Sequence, residues 1–268
     1  LSDQVYIEYK CRVQGNIEAQ NQITNEAQAT WAAAPGSALQ FDPLFETSIV
    51  YFERPEIEVN VLDIQPGYGS GNGVHVGEVV TFEALIEIPE GKTLDGTFSC
   101  VLPEGLSLEE FISFERPQEI SFSIGSTNQV LAGLNITNIG SGTENTNRMI
   151  TLPLGVITNA ASDNDEKEYI RLVYSATVLN TAVNQNGYQL GHTATLQYRN
   201  PVSTALTTRT DTHTLEILEP ELDVDIAFFN DQILPGDQTY VTLTISHKPT
   251  STGTAFDVDL TNDLPIGL

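Results

Sequence analysis

The sequence predicts an all-β protein made of tandem β-sandwich repeats joined end to end. Three observations lead to this prediction: an internal repeat, short segments in which apolar residues alternate, and turn-forming residues between those segments. No stretch shows helical periodicity over three turns, so helices are expected to be rare. Many short strands separated by regular turns are typical of a sandwich.

The internal repeat has a period of about 165 residues. Ile7–Val13 aligns with Leu172–Val178, and Pro55–Val61 (PEIEVNV) aligns with Pro220–Ile226 (PELDVDI), both at an offset of 165. Residues 76–86 match 235–245, and 101–106 match 263–268, at offsets of 159 and 162, which indicates loops of slightly different length. We therefore expect 1–54 to be the C-terminal part of one repeat, 55–219 a complete repeat, and 220–268 the N-terminal part of the next.

Alternating apolar residues mark the expected strands. One face is apolar at every second position in each of three segments, which contain Val80, Phe82, Ala84 and Ile86; Tyr174, Ala176 and Val178; and Val241, Leu243 and Ile245. Turn formers such as Pro66-Gly67 and Asn186-Gly187 separate these segments. The acidic stretch Leu106–Phe114 is expected to form at most a short helical turn.

The charge is strongly one-sided. The chain has 11 Lys and Arg against 36 Asp and Glu, a formal net charge of −25 and a pI near 4.1. Such a surface repels nucleic acid and anionic lipid, and no apolar run approaches the roughly 18 residues of a membrane span. The acids are scattered, which fits solvated outer faces, a salty habitat or divalent cations nearby.

The two cysteines are too few for a disulfide scaffold. Cys11 stands where the next repeat has Ala176, an inward position, so we expect a buried small hydrophobe. Because Cys11 and Cys100 belong to different repeats, a bridge between them is not expected, and their oxidation state is left open. The chain starts at Leu1 and has Met149 as its only methionine, so we expect a piece of a longer protein.

Two short motifs resemble a known family. Gly77-Glu78 and Gly236-Asp237 each precede an alternating strand, and LP-x-GL follows at Leu102–Leu106 and Leu264–Leu268. This order resembles the conserved-repeat, immunoglobulin-like domains of large microbial cell-surface proteins. Residues 23–31 (ITNEAQATW) are similar to the closing strand of isopeptide-forming fimbrial domains. The resemblance implies immunoglobulin-like units in an extracellular, cell-surface protein.

The same resemblance implies a position for a covalent crosslink. In that family a lysine near the first strand bonds to an asparagine of the closing strand, assisted by a buried acid. Asn25 stands at the asparagine position of the first repeat, but His192 stands there in the complete repeat, and Glu56–Ile64 contains no lysine. A crosslink is therefore not expected in the complete repeat; for the first repeat the question is open.

Catalytic chemistry finds no support in the sequence. The four histidines, His75, His192, His213 and His247, lack a Gly-x-Ser-x-Gly turn and metal-ligand spacing, so exposed or half-buried strand positions are expected for them. The glycine-rich stretch 67–73 has no following helix and is expected to be a flexible hairpin loop rather than a phosphate site. We predict no catalytic and no cofactor-binding residue.

Carboxylates give the best candidate ligands. Glu56 and Glu58 at one junction match Glu221 and Asp223 at the next, with Asp225 beyond. Calcium prefers six to eight oxygen ligands, and such residues at a junction could stiffen an array of sandwiches. Alternating acids also serve simply to keep a strand face solvated. Asn135-Ile136-Thr137 is the only N-glycosylation sequon, which makes Asn135 a candidate glycosylation site.

The function predicted is that of a non-catalytic structural repeat in an extracellular fibre, surface appendage or adhesin stalk. Its expected partners are copies of itself or further repeats of the same chain. The alternative is a carbohydrate- or ligand-binding adhesin module carried on such a stalk. That alternative requires an exposed aromatic platform, to which Trp31, Tyr68 and Tyr188 are the candidate contributors.

Overall fold

The structure, a computed structural model, describes residues 6–13, 17–19, 21–69, 71–139, 147–160, 166–230, 232, 234–255 and 257–263. Its elements in chain order are β1 (Gln22–Ala29), β2 (Leu44–Tyr51), β3 (Glu56–Gln65), β4 (Gly73–Val74), β5 (Val79–Glu87), β6 (Gly91–Val101), β7 (Leu106–Glu115), β8 (Ile120–Phe122), α1 (Thr127–Leu131), β9 (Asn135–Asn138), β10 (Asn147–Asn159), β11 (Tyr169–Val178), β12 (Gln189–Arg199), β13 (Leu206–Ile217), β14 (Leu222–Phe228) and β15 (Val241–His247).

Strands β3 to β13 form two facing sheets. One sheet has the order β4-β13-β12-β6-β10-β8, with β9 also paired to β10, and the other has the order β3-β5-β11-β7. All these pairs are antiparallel except the short β4–β13 pair, which is parallel. The predicted all-β sandwich class is confirmed by these sheets.

The core of the sandwich consists of the alternating apolar residues of both sheets. Phe82, Ala84 and Ile86 on β5 face inward, and their neighbours on the same strand face outward. Phe98 on β6 and Leu172 on β11 are fully buried in the same way. Full burial of one such side chain stabilises the fold by roughly 1.5–3 kcal/mol, so these rows fix which face of each strand points inward.

The predicted turn motif has the same geometry in both of its copies. Gly77 (φ 88°) and Gly236 (φ 94°) each occupy the third position of a tight turn, a backbone conformation that favours glycine. In the first copy Glu78 N–H donates to His75 C=O at 3.1 Å, and in the second Asp237 N–H donates to Leu234 C=O at 3.0 Å. The acid after the glycine therefore closes the turn that leads into a strand.

The flanking segments form two small ribbons outside the sandwich. Strand β1 pairs with β2, and β14 pairs with β15, each as an antiparallel two-stranded sheet. Their apolar side chains are exposed: Val224, Ile226 and Phe228 on β14 are 51%, 53% and 48% exposed. A two-stranded ribbon cannot bury an apolar face by itself.

Several local predictions were wrong. Leu106–Glu115 is a strand, not a helical turn: Leu106 and Leu108 face the core, and the strand pairs with β11 through two register shifts that disturb its alternation. Cys11 is exposed, because its segment has no paired strand in the structure, whereas Cys100 is buried; both are free thiols.

The helix α1 was not anticipated either. It spans five residues and begins at a capping box formed by Ser126 and Gln129. In the described part of the chain, no helix has the length and apolarity to cross a membrane.

We expect residues 55–219 to fold alone, because the two facing sheets lie within this range. Circular dichroism should give a β spectrum, and heating should give one cooperative transition. The matched shorter segment, 55–205, lacks β13 with its buried Leu215 and Ile217 and should show no cooperative transition. Equal melting of the two segments would contradict this account.

Candidate functional site: the two poles of the sandwich

The first and last strands of the sandwich run in the same direction on facing sheets. Val59 N–H on β3 donates to Asp211 Oδ2 on β13 at 2.8 Å, and Glu56 lies 3.6 Å from Arg209 Nε. Residue numbers thus increase together along both strands. We call the end where β3 begins the upstream pole and the end where β13 ends the downstream pole.

The side chain of Asp211 accepts a hydrogen bond from a backbone N–H group on the edge strand β3. Strand β3 pairs only with β5, so its other row of N–H groups has no strand partner. The Asp211 carboxylate, on the opposite sheet, accepts a hydrogen bond from one of these N–H groups. This hydrogen bond joins the two sheets at this edge of the sandwich. It also fixes how far β3 and β13 are displaced along each other.

The upstream pole contacts the segment before β1. Ala19 N–H donates to Lys92 C=O at 2.7 Å, and Lys92 N–H donates to Ile17 C=O at 2.8 Å. These bonds form an isolated parallel bridge beside β6, and Ala19 is buried there. Residues 17–19 thus extend the sheet of the sandwich by one short strand.

The downstream pole is built by polar side chains that bind backbone groups. The buried carboxylate of Glu78 accepts the N–H of Tyr68 at 2.6 Å and the N–H of His75 at 2.7 Å. Asn186 N–H donates to Glu219 Oε2 at 3.0 Å, and Glu219 N–H donates to Asn186 Oδ1 at 3.1 Å. Both pairs of hydrogen bonds hold loop segments that are not paired in a β-sheet.

Residues after β15 contact this pole. Gly253 N–H donates to Glu219 C=O at 3.2 Å, and Glu221 N–H donates to Ser251 Oγ at 3.0 Å. The hydroxyl of Thr252 donates to Asn186 Oδ1. The loop that follows β15 is therefore bound to the end of β13 and to the loop before β12.

The five candidate calcium ligands lie at the two junctions. Glu56 is engaged by Arg54 and Arg209, Glu58 accepts a hydrogen bond from Asn60 at 3.1 Å, and Glu221 accepts one from Thr250 at 2.8 Å. Asp223 and Asp225 are exposed on β14. Among the residues that the structure describes, no three His, Cys, Asp or Glu side chains are grouped so as to hold a metal ion. Calcium binding stays a prediction.

The other candidate positions are distributed over the surface. Asn135 is exposed on β9, a strand beside β10, and its glycosylation stays a prediction. Trp31 is 42% exposed and stacks on Phe41, with ring centroids 5.5 Å apart. Tyr68 packs edge-on against His75 at 6.2 Å, at the downstream pole.

The predicted position of the closing strand was wrong. By the repeat, residues 23–31 correspond to β12, which is the next-to-last strand of the complete repeat. The strand that lies against β3 is β13, and it presents Asp211 and Arg209 to β3. His192 therefore does not face β3 from the last strand; it lies on β12 in the core.

His192 belongs to a buried polar cluster that the sequence analysis missed. The expectation of exposed or half-buried histidines was wrong for His192 and for His75, which are both buried. Its Nε2 lies 2.9 Å from Cys100 Sγ and 3.0 Å from Tyr174 Oη, and its ring stacks on Phe82 with centroids 4.3 Å apart. His192 Nδ1 and His213 Nε2, on paired strands, have no hydrogen-bond partner within the described residues. The signal was available, because all three cluster members stand in inward rows of alternating strands.

Burial keeps the cluster uncharged. It lowers the pKa of His192 to about 3, with the nearby His213 adding to the effect, and it raises the pKa of the Cys100 thiol to about 12. The pKa of Tyr174 is raised well above its ordinary value by burial and by Cys100. Since a thiolate is the reactive form of cysteine, Cys100 is an inert core residue at neutral pH.

Protonation of His192 should destabilise the sandwich in acid. Its pKa is lower in the folded chain than the ordinary 6.5, so the unfolded chain takes up the proton first and stability falls with pH from about 6.5 towards about 3. Between pH 6.5 and pH 5 the loss should be on the order of 2 kcal/mol.

Urea unfolding at pH 7 and pH 5 measures this loss. His192→Leu should lose correspondingly less stability than the natural chain, whereas His247→Leu, at an exposed position, should behave like the natural chain. Identical pH dependence in the natural chain and His192→Leu would refute the assignment.

Comparison with known proteins finds similarity in structure only. No protein-family profile and no curated protein sequence matches the chain. Similar solved structures include the 35 kDa C-terminal fragment of a major pilin of Streptococcus agalactiae (10% identity, 65% of this chain, 58% of that chain, TM-score 0.40) and a full-length major pilin of Corynebacterium diphtheriae (9%, 74%, 55%, 0.39). A collagen-binding subdomain of an Enterococcus faecalis surface protein is also similar (13%, 55%, 90%, 0.30).

This similarity concerns the fold alone. The chain spans less than two thirds of the length of these two pilins. The β-sandwich that the predicted resemblance implies is present in the two facing sheets of this chain.

Proposed function

We propose that this chain is a structural segment of an extracellular fibre or adhesin stalk, in which sandwich repeats follow one another end to end. The observation that carries the proposal is that the chain enters the complete repeat at the upstream pole and leaves it at the downstream pole. The two ends of the unit are thereby available for neighbours on opposite sides.

Each repeat advances the chain by about the length of a strand. From Arg209, which is level with Glu56, to Ile217 the chain runs through eight strand residues, or about 27 Å. Strand β14 begins at Leu222, shortly after β13 ends at Ile217. So short a linker, with Pro220 within it, limits bending between repeats.

The apolar faces of the ribbons support further repeats, or copies of the chain, as partners. Val224 on β14 corresponds to Val59 on β3 by the offset of 165, yet Val224 is 51% exposed and Val59 is 3% exposed. What buries Val59 is the facing sheet of its own sandwich. A facing sheet of the same kind would bury the apolar side chains of β14 and β15. Exposed strand edges of this type recruit further strands.

The charge and the core fit a passive structural role. A net charge of −25 keeps repeats apart laterally and opposes edge-to-edge aggregation. The imidazole, thiol and phenol that do meet are sealed in the core and uncharged. They stabilise packing and are not presented to a substrate, so the proposed role is non-catalytic.

Immunogold electron microscopy of the source cells tests the proposal. Antibodies raised against residues 55–219 should label surface fibres with an axial repeat of about 40 Å, the rise of the 12 residues from Arg209, which is level with Glu56, to Glu221, the repeat equivalent of Glu56. Preimmune serum should leave the same fibres unlabelled. Label confined to the cell interior, or to surface without fibres, would contradict the proposal.

Calcium binding at the junctions is a second testable expectation. If Glu221, Asp223 and Asp225 bind calcium, the melting temperature of the full chain should rise with calcium by more than that of residues 55–219 alone. Asp223→Asn should remove the difference, while the remote Asp95→Asn should preserve it. Equal melting in calcium and in chelator would mean that these acids are only solvated surface.

A further inference from the structure

The turn between β5 and β6 lies at a junction in both places where the chain contains it. We infer that this turn is a docking element that binds the downstream pole of the preceding repeat, and that the same joint forms at each junction, its partner being another repeat of this kind. This inference rests on the proposed function, because it names how the repeats are joined.

The first joint lies between residues 17–19 and the end of the β5–β6 turn, where Gly91 and Lys92 begin strand β6. Two backbone hydrogen bonds of 2.7 and 2.8 Å connect Lys92 to Ala19 and to Ile17. Ala19 is 2% exposed. The loop of one repeat is thus hydrogen-bonded to the first residues of β6 in the next.

The second joint uses the equivalent turn. Gly253 lies 162 residues after Gly91, the same offset that relates 101–106 to 263–268. It follows β15 as Gly91 follows β5. Its N–H binds Glu219 C=O, and the neighbouring Thr252 binds Asn186.

The surface that receives the turn is also equivalent at the two joints. Ala19 stands three residues before β1, and Asn186 stands three residues before β12, at the offset of 167 that aligns Gln22 with Gln189. In both joints, therefore, the loop before the next-to-last strand of one repeat contacts the β5–β6 turn of the following repeat. The individual hydrogen bonds differ, since the first joint uses backbone groups alone and the second also uses the side chains of Thr252 and Asn186, but the same two elements meet at both junctions.

Glycine is required in the turn by the neighbouring repeat. A Cβ at Gly91 would lie 2.1 Å from the backbone oxygen of Ile17. A Cβ at Gly253 would lie 2.7 Å from His75 Cε1, 3.0 Å from the backbone carbon of Glu219 and 3.1 Å from Pro220 N. At Gly91 the conflict is with backbone, and at Gly253 it is first with the ring of the buried His75 and then with backbone atoms. Neither can move aside like the end of a flexible side chain, so a larger residue would push the repeats apart.

A substitution at Gly253 tests the joint without straining the backbone of the substituted residue itself. Gly91 has a φ of 99°, so any substitution there would also strain its own backbone. Gly253 is not among the residues with positive φ, and its Cβ conflict arises at the joint alone. Gly253→Ala is therefore the diagnostic substitution. Gly191→Ala is the matched control, because the nearest atom to its Cβ, Thr212 Cγ2, is 3.9 Å away.

Hydrogen exchange of the full chain, followed residue by residue by NMR, tests the joint. In the natural chain the amides of Ala19, Lys92 and Gly253 should exchange at least tenfold more slowly than unprotected amides. In Gly253→Ala the amide of residue 253 should lose about tenfold in protection, while Ala19, Lys92 and strand β11 keep theirs. Gly191→Ala should leave both joints unchanged.

Two outcomes would overturn the inference: unprotected joint amides in the natural chain, or full protection in Gly253→Ala. Its failure can be told from failure of the proposed function. Labelled surface fibres together with unprotected joint amides would refute the joint alone. Protected joints in a protein that forms no fibre would refute the fibre alone.

Discussion

The parallel course of β3 and β13 on facing sheets governs how this chain can be used. The Val59–Asp211 hydrogen bond and the approach of Arg209 to Glu56 fix the two strands at the same level. Because both run from the upstream to the downstream pole, the sandwich receives the chain at one end and releases it at the other. If the two strands ran in opposite directions, both ends would meet at one pole, and the flanking segments would leave from the same side.

Because the chain enters the sandwich at one pole and leaves it at the other, the polar side chains at the downstream pole share one structural role. Glu78, Asn186 and Glu219 bind loop N–H groups that have no ladder partner. The same loops form the surface that the following turn contacts. Hydrogen bonds that order a pole therefore also order the joint, and the buried Cys100–Tyr174–His192 cluster has no part in either.

Sequence reasoning predicted the fold well where burial on one face dominates. The alternating rows of β5 and β11 and the period of 165 residues follow directly from packing two sheets. It failed where pairing is irregular or where a segment has no paired strand among the described residues. The register shifts of β7 hid its alternation, and Cys11 is exposed although its repeat equivalent, Ala176, is buried.

The poles were harder to predict than the sheets, since they are made by loops. The carboxylates at the junctions could be recognised in the sequence. Which backbone N–H groups donate hydrogen bonds to them depends on the positions of loops that are distant in the chain. Glu78 and Asp237 could be found as a motif, whereas the contact between Gly253 and Glu219 needs three-dimensional proximity. Gly91 and Gly253 stand 162 residues apart, an offset found elsewhere in the repeat, but the sequence analysis did not single them out.

The separation of the poles is the claim on which the account depends, and pulsed dipolar spectroscopy measures it directly. Spin labels at Glu53→Cys and Gln185→Cys, both exposed positions next to opposite poles, would be introduced into the full chain with Cys11→Ser. Cys100 is buried and should remain unlabelled. The account predicts a single narrow distance of about 30 Å or more. A distance below about 15 Å, which places both labels at one pole, would contradict it.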